Sequence, residues 1–324
     1  MMKEPLSVNR LAWLLLGKLI ENAELYGINV EETDSGTKII DAGVNAKGGF
    51  QAGKIITEIC MGGCGKAAIT HGTYGDMDLP SIQIHSDHPV IAMLGSQFAG
   101  WQISEEGYSA IGSGPARALA QKPKDIYREI GYHDDFDRGI LILEADKCPP
   151  AKIADRLAKE CGISSQNLAI VLTPTTSLTG ATQVSGRVVE TGIHKLRRLG
   201  LDANVIICAS GYAPISPIHP KFAKAMARTN DAILYGGTAR YVVDYDNEEK
   251  LKEMVNKAPS MASEAYGRPF TEIFKEAKYD FYKIDPNLFA PAVLIINNAK
   301  TGNTFQSGKI NVKALAESFG LMKS

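Results

Sequence analysis

The sequence lacks the features that mark several large classes of protein. Its 324 residues contain no apolar run of the roughly 18 residues that a transmembrane helix needs. Neither sign of charge is in excess, since 35 basic residues stand against 36 acidic ones. Nucleic-acid binders and polybasic membrane-surface proteins usually carry a basic excess. The composition therefore argues against nucleic acid and against membrane as partners.

Signals for export and for disulfide bonding are also missing. The strongest apolar run near the start, LAWLLLGKLI, is broken by Lys18, and no small-residue cleavage site follows it, so we expect no signal peptide. Cysteine is scarce, and its odd number argues against a disulfide framework and for a reducing cytoplasm. The five cysteines are Cys60, Cys64, Cys148, Cys161 and Cys208.

Motifs for metal, nucleotide and hydrolase chemistry are incomplete. CMGGCG (60–65) has no second cysteine pair for zinc, and HSDH (85–88) has no partner motif, so we expect no metal site. No G-x-S-x-G elbow is present. AIGSGPARALA (110–120) lacks the P-loop lysine and the Rossmann spacing. It leaves two interpretations open, an anion site at a helix start or a tight turn that needs glycine.

The order of the segments that are present predicts an α/β fold. From 139 to 211 the patterns read strand, helix, strand, helix, strand, and the strands are continuous apolar runs, as in sheets covered on both faces. Residues 89–94 read as a further strand, and 177–200 as one long helix of small residues. The charged stretch 122–138 is the best candidate for a boundary.

We therefore predict two α/β units packed around a shared cleft. The first is expected over residues 1–135 and the second over 136–324. The last segment, about 285–324, is a candidate to pack back on the first unit.

Two charged residues interrupt the small-residue helix. Arg187 is the only charged residue from Leu168 to Val189, and Glu190 follows at once. At positions i and i+3 of a helix the two side chains would share a face. They form either a solvated ion pair of little energetic value or a buried, ligand-facing pair, because the surrounding residues are small and weakly polar. The residues alone leave both interpretations open.

Polar residues close two of the expected strands. Glu144 ends the apolar run GILIL, and the hydroxyl-rich stretch TPTTSLTG (173–180) follows the next strand. Open α/β sheets bind ligands at the carboxyl ends of their strands. Capping of the following helices is the structural alternative in both places.

Six stretches together resemble one family, the methenyltetrahydromethanopterin cyclohydrolases. The stretches are SVNRLA (7–12), LGSQFAGWQI (94–103), AIGSGPARALA (110–120), LILEADKCPP (141–150), TPTTSLTGATQVSGRVVETGIHKL (173–196) and VIICASGYAPI (205–215). The resemblance runs almost end to end. It implies a cytoplasmic enzyme of one-carbon metabolism in methanogenesis that interconverts 5,10-methenyltetrahydromethanopterin plus water and N5-formyltetrahydromethanopterin. It also implies no metal, no redox cofactor and a homo-oligomer, commonly a trimer.

The resemblance assigns roles to residues of the matched blocks. Glu190 is implied as the general base that activates water, Arg187 as the group that orients it and keeps it charged, and Glu144 as a second active-site carboxylate. The expected substrate-binding residues are Gln97, Ser113, Gly114, Arg117, Thr175, Thr176 and Thr182. One departure is Phe98, since some members carry a lysine there, so position 98 receives no role.

Other functions stay open at this stage. One is a phosphate- or nucleotide-handling α/β enzyme built around GSGPAR, and another is a non-catalytic pterin-binding protein. Four aromatic residues are candidates either for stacking on a pterin or for ordinary core packing, namely Phe50, Tyr108, Tyr212 and Tyr241.

Overall fold

The computed structural model describes residues 6–105, 107–268, 270–280 and 283–321. The strands are β1 (Asn29–Glu32), β2 (Lys38–Asp41), β3 (Lys66–Tyr74), β4 (Met77–Ser86), β5 (Trp101–Glu105), β6 (Tyr108–Ser113), β7 (Gly139–Glu144), β8 (Leu168–Leu172), β9 (Ile206–Pro214), β10 (Thr238–Val243), β11 (Val293–Asn298) and β12 (Thr304–Gly308). The α-helices are α1 (Val8–Glu21), α2 (Ala23–Tyr26), α3 (Phe50–Cys60), α4 (Ala116–Ala120), α5 (Lys124–Ile130), α6 (Ala151–Glu160), α7 (Leu178–Ser185), α8 (Val188–Arg198), α9 (Phe222–Gly236), α10 (Glu248–Lys257), α11 (Phe270–Glu276) and α12 (Val312–Phe319). A π-helix spans Val90–Gln97, and short 3-10 helices span Ser165–Asn167, Ala203–Val205 and Ser260–Ala262.

The chain forms two compact units, each with its own mixed six-stranded sheet. Within the described ranges, unit 1 consists of residues from 6 to 66 and from 90 to 179, and unit 2 of residues from 67 to 89 and from 180 to 321. The α/β class and the two α/β units predicted from the sequence are confirmed.

The division of the chain differs from the expected one. The expected boundary at 135/136 falls inside unit 1, because β7 pairs with β6 and β8 pairs with β2 across it. The segment from about 285 onward contributes β11, β12 and α12 to unit 2. Residues 1–5 and 322–324 of the expected units lie outside the described ranges.

The sheet of unit 1 has the strand order β1-β2-β8-β7-β6-β5. Its central strands β2, β8 and β7 are parallel, and the flanking pairs are antiparallel. Alternate residues of β7 enter opposite cores: Ile140 and Ile142 join residues of α1 and α3, whereas Leu141 and Leu143 join residues of α6. Burial on both faces explains why β7 and β8 are continuous apolar runs.

The sheet of unit 2 has the strand order β12-β11-β10-β9-β4-β3, with β10 and β11 parallel. The third strand expected between 139 and 211 is β9, and it belongs to this second sheet, between β10 and β4. Helix α8 packs on β9 and β10, whereas α9, α11 and α12 share a separate apolar core.

One expected strand proved to be helical. Residues 89–94 were expected to be a strand, but Val90–Gln97 is a π-helix. A short apolar run does not distinguish a buried strand from a buried helix by periodicity. No helix within the described ranges combines the length and the apolar character required to cross a lipid bilayer.

Candidate active site

Arg187 and Glu190 lie at a break between two helices. Helix α7 ends at Ser185, Arg187 is the N-cap residue of α8 with φ −88° and ψ 2°, and Glu190 lies in the first turn of α8. The single helix expected over 177–200 was therefore wrong, because the chain leaves helical geometry between Ser185 and Val188. Gly186 lies at the break, and glycine weakens a helix because it loses the most backbone entropy on folding.

Both charged side chains are nevertheless buried. Arg187 is 5% exposed and Glu190 is 6% exposed, and every residue from 179 to 190 is buried. Nη2 of Arg187 donates to Oε1 of Gln183, at 3.2 Å. A solvated surface pair is thereby excluded, and charges removed from water interact more strongly than exposed ones.

The position of Glu190 in α8 favours its negative charge. The first N–H groups of a helix have no intrahelical acceptor, and the helix dipole is positive at that end. Glu190 is the acidic residue of the first turn, and the last turn of α8 carries three basic residues, Lys195, Arg197 and Arg198. A carboxylate so placed is stabilised by about 0.3–1 kcal/mol, and by more where the site is partly buried.

Tyr241 of β10 fixes the turn that presents Glu190. Its hydroxyl donates to the carbonyl oxygen of Val189, at 2.8 Å. Burial, and then the charge of Glu190, raise the pKa of Tyr241 well above its usual value, so the phenol stays a donor. Gly192 is required at this contact, because a Cβ there would collide with the hydroxyl.

Sequence reasoning missed this role of Tyr241. It offered only stacking or core packing for the residue, and the ring is indeed in the core, with 1% of its surface exposed. The contact joins residues 52 positions apart. No local pattern in the sequence indicates such a pairing.

A second group of polar residues lies at one edge of the sheet of unit 1. Glu144 is the last residue of β7, as expected, and is half-buried. Strands β7, β8 and β2 are parallel, with Leu172 opposite both Leu143 and Asp41. Their carboxyl ends, and with them Glu144, Thr173 and Asp41, therefore meet at the same edge, where α/β sheets place ligands.

Asp41 organises the loop at this edge. Its carboxylate accepts four backbone N–H bonds of 2.7–3.1 Å, from Gly43, Val44, Asn45 and Ala46. Burial acts to raise the pKa of Asp41, but these hydrogen bonds outweigh it and hold the pKa below its ordinary value. The sequence analysis missed Asp41, although it closes an apolar run in the way that Glu144 does.

The expected threonines divide between the two units. Thr175 is 1% exposed, and its Oγ1 has no hydrogen-bond partner within the described part of the chain; the same holds for Oγ1 of Thr173. Thr176 beside them is half-buried. Thr182 lies in α7 in unit 2 and is completely buried. Buried hydroxyls almost always find a partner, so Thr173 and Thr175 are candidates to bind a ligand or water.

The guanidinium of Arg117 is held inside unit 1, and the side chain is completely buried. It lies over the rings of Phe98 and Tyr127, 5.3 and 5.5 Å from their centroids. Its Nε and Nη1 donate over 2.8–3.2 Å to the backbone carbonyls of Lys122, Leu94 and Ser96. These contacts give Arg117 a structural position, and Phe98 provides one face of it.

The glycine-rich turn that precedes Arg117 is also interior. Ser113 and Gln97 are completely buried. Gly114 has φ 99°, its N–H donates to the carbonyl of Ser96 at 2.9 Å, and a Cβ there would collide with Ile142. The turn leaves β6 toward the amino end of β7, away from Glu144. Of the two interpretations of this turn, the structure favours the tight turn that needs glycine.

Within the described ranges, no group of three or more His, Cys, Asp or Glu residues is placed to hold a metal ion. In CMGGCG, burial followed by the charge of Asp134 raises the pKa of Cys64 to about 12, so this thiol is protonated at neutral pH. In HSDH, His85 and Asp87 line a cavity of about 320 Å³ in unit 2.

Comparison with known proteins matches this chain to one family over nearly its whole length. A sequence model of the family described as Cyclohydrolase (MCH) matches residues 7–319. A protein of Methanothermobacter marburgensis is 45% identical over 320 residues, which are 97% of this chain and 99% of that protein. A protein of Methanocaldococcus jannaschii is 45% identical over 318 residues, 97% and 98% of the two chains. A protein of Methanosarcina barkeri is 41% identical over 317 residues, 98% and 99% of the two chains.

All three relatives carry the name methenyltetrahydromethanopterin cyclohydrolase. The family resemblance of the sequence is thus confirmed by a match that leaves out only short stretches at the two ends. This chain belongs to the cyclohydrolase (MCH) family of enzymes.

Proposed function

We propose that this chain interconverts 5,10-methenyltetrahydromethanopterin plus water and N5-formyltetrahydromethanopterin. The observation that carries the proposal is near full-length similarity, at 41–45% identity, to relatives named for this activity. The buried carboxylate of Glu190 at a helix N-terminus supports it, because a positioned carboxylate can take the proton from the water that attacks a cationic carbon.

The proposed reaction does not require a Lewis acid. The methenyl carbon is bonded to two nitrogens and shares their positive charge, so it is electrophilic without a Lewis acid. Water adds its oxygen to this carbon and loses one proton, which leaves a neutral carbinol. The bond from the carbon to N10 then breaks, N10 gains a proton, and the carbinol hydroxyl loses its own to become the formyl oxygen. The sum is one water consumed and one proton released.

Glu190 is the general base in this proposal. It takes the proton from the attacking water, a role that contributes about 10²–10⁴-fold to the rate. Its negative charge also attracts the cationic substrate. Arg187, at the N-cap three residues earlier, orients the carboxylate and stabilises its charged form, as a nearby cation does.

Glu144 is the second carboxylate of the proposal. It holds the water or passes a proton when the ring opens, and Glu190 alternatively returns the proton that it took. The hydroxyls of Thr173 and Thr175 at the same edge of the sheet are suited to bind polar groups of the pterin, because they are buried and lack partners within the described residues. Thr176 and Thr182 remain proposed substrate contacts.

The alternative enzyme, built around GSGPAR, finds less support. Nε and Nη1 of Arg117 are committed to backbone carbonyls, which leaves only Nη2 without a partner among the described residues. In our proposal Arg117 acts mainly through the packing of unit 1, and Gln97, Ser113 and Gly114 remain proposed substrate-binding residues.

Several further properties follow from the family rather than from the site. We propose that the protein acts in the cytoplasm, in the one-carbon metabolism of methanogenesis, as a homotrimer and without metal or redox cofactor. The mass of the particle in solution, measured by light scattering, tests the oligomer. A particle of one or two chains would contradict the trimer.

A turnover assay tests the proposed activity. The purified chain is mixed with 5,10-methenyltetrahydromethanopterin, with no metal or nucleotide added, and loss of the methenyl absorbance is followed. We expect catalysed loss, and the N5-formyl product by mass spectrometry. A protein that binds the pterin without turning it over is a non-catalytic binder, and that outcome overturns the proposal.

A further inference from the structure

A separate cavity in unit 2 has the features of a ligand site. Its volume is about 350 Å³, and it lies between α9, α12 and the segment around Gly267 and Thr271. The lining residues that the structure describes include none of those proposed for the cyclohydrolase reaction. The volume suits a small molecule, at the lower end of ligand pockets.

Asp231 supplies a buried carboxylate to this cavity. The residue is 4% exposed, and Oδ2 accepts a hydrogen bond from the hydroxyl of Ser318, at 2.6 Å. Oδ1 has no hydrogen-bond partner among the described residues. Burial raises the pKa of Asp231 to about 7, with the bond from Ser318 acting in the opposite direction. A buried acceptor without a donor lowers the stability of the fold, so a ligand that donates a hydrogen bond to Oδ1 would be favoured here.

Two cationic residues precede Asp231 on the same face of α9. Lys224, Arg228 and Asp231 are spaced i, i+4 and i+7, so they share a helix face, and all three line the cavity. Lys224 and Glu317 are exposed at the rim, and Arg228 is half-buried between rim and floor. The exposed charges of Lys224 and Glu317 thus lie at the rim of the cavity, and the buried carboxylate of Asp231 lies at its floor. Arg228 lies between them.

Arg228 is held in place by the protein itself. Its Nε donates to the carbonyl of Ser318 at 3.1 Å, and its Nη1 donates to the carbonyls of Pro217 and Ile218 at 3.4 and 3.3 Å. Its Nη2 lies beside Gly320, which also lines the cavity. A guanidinium fixed in this way meets an anionic group without first being ordered, which lowers the cost of binding.

We propose that this cavity binds a small zwitterionic amino acid, with its ammonium group on Oδ1 of Asp231 and its carboxylate toward Arg228 and Lys224. An ammonium group has the donors that Oδ1 lacks. A simple cation would pair only with Asp231, and a simple anion would pair only with Arg228. The proposal does not depend on the cyclohydrolase activity.

Binding measurements on the full chain test the proposal. The probes are glycine, β-alanine and γ-aminobutyrate, with methylammonium and acetate as half-ligands, each titrated by calorimetry at pH 8. We expect at least one zwitterion to bind about tenfold or more tightly than either half-ligand, because it makes both charged contacts. Asp231→Asn should weaken that binding by a similar factor, whereas Glu253→Gln, which removes an exposed charge on α10, should not change it.

Proton linkage provides a test that needs no variant. The ammonium requires the charged form of Asp231, so the affinity of the wild-type chain should fall about tenfold for each pH unit below 7. The other titratable or charged groups that line the cavity are Lys224, Arg228 and Tyr235 on α9 and Glu317 on α12, and Tyr266, before α11, interacts with Tyr235. Acetate binding as tightly as the zwitterions, no binding by any of the three, or a pH-independent affinity would each overturn the proposal.

Discussion

The hydroxyl of Tyr241 donates a hydrogen bond to the carbonyl oxygen of Val189, at 2.8 Å, and so ties β10 to the first turn of α8. The next residue is Glu190. The tie is buried, so water does not compete for it, and the high pKa of Tyr241 keeps the phenol protonated. The orientation of the proposed general base thus depends on a strand that lies far from it in the sequence.

Removal of this hydroxyl should reduce turnover more than it affects binding. For Tyr241→Phe we expect kcat to fall several-fold with KM little changed, and stability to fall by about 1 kcal/mol, the usual net value of one hydrogen bond. Steady-state kinetics and thermal unfolding measure the two effects. Tyr74→Phe is the matched control, since it removes another buried phenol of unit 2, which bonds Ser81. Equal effects of both variants on kcat would contradict the positioning role.

Gly192 should tolerate a methyl group only when that hydroxyl is absent. Gly192→Ala places a Cβ against the hydroxyl of Tyr241, and we expect a loss of about 1–3 kcal/mol of stability, as for other overpacked cores. In the Tyr241→Phe background the same substitution should cost clearly less. A double-mutant cycle of unfolding free energies measures the coupling. Additive effects would show that the collision is not the cause.

Glu190→Gln should retain the fold and lose the chemistry. The substitution keeps the shape of the side chain and removes its basicity, so we expect kcat to fall by about 10²–10⁴-fold. Glu58→Gln is the control, because Glu58 is a buried glutamate of unit 1 paired with Lys54. Near wild-type turnover in Glu190→Gln would remove Glu190 from its role.

Glu144→Gln is measured alongside, to compare the two carboxylates as sources of the proton that the leaving nitrogen gains.

Arg117 should prove structural. Arg117→Lys loses the planar fork that serves three backbone carbonyls, and we expect at least about 2 kcal/mol of lost stability, because buried acceptors are left unpaired. KM for the pterin should change little. Arg138→Lys, at a half-exposed arginine of the same unit, is the control. A folded Arg117→Lys protein with a greatly raised KM would instead place Arg117 in substrate binding.

Asp231 should make the protein less stable as the pH rises from about 4 to about 7. Its pKa is 3.8 unfolded and about 7 folded, so the folded chain holds the extra proton throughout this range, and stability falls until the group ionises in both states. The full effect is about 4 kcal/mol, from a difference of roughly three pKa units. Unfolding free energies of the wild type and of Asp231→Asn, compared across this range, isolate it. If the unfolding free energies of the two proteins change with pH in the same way, the pKa of Asp231 is not raised in the folded chain.

Much of unit 1 can be predicted from local sequence patterns. β7 and β8 read as continuous apolar runs because both faces of their sheet are covered, and Glu144 was placed correctly at the end of β7 because a polar residue closes the run. Asp41 shows the same signal and was overlooked. The family resemblance supplied the identity of the catalytic candidates, which spacing alone left open.

The remaining features depend on long-range pairing. Which sheet contains β9 is decided by its hydrogen bonds to β4 and β10, and nothing within 206–214 indicates it. The sequence does not indicate the break before α8 either, since a glycine among small residues is compatible with a continuous helix. The contact of Tyr241 with Val189 follows only once both elements are packed.

The interleaving of the two units along the chain constrains how the protein can be made and dissected. Residues 67–89 belong to unit 2, but β4 pairs with β9, which is synthesised more than a hundred residues later. During translation, at about 5–20 residues per second, the edge of β4 in this hairpin that pairs with β9 stays unpaired for roughly 6–24 s. Unit 1 meanwhile has all of its chain once residue 179 has emerged. A cut at any single position therefore separates no intact unit, and the hairpin is the segment most exposed to misassembly before β9 arrives.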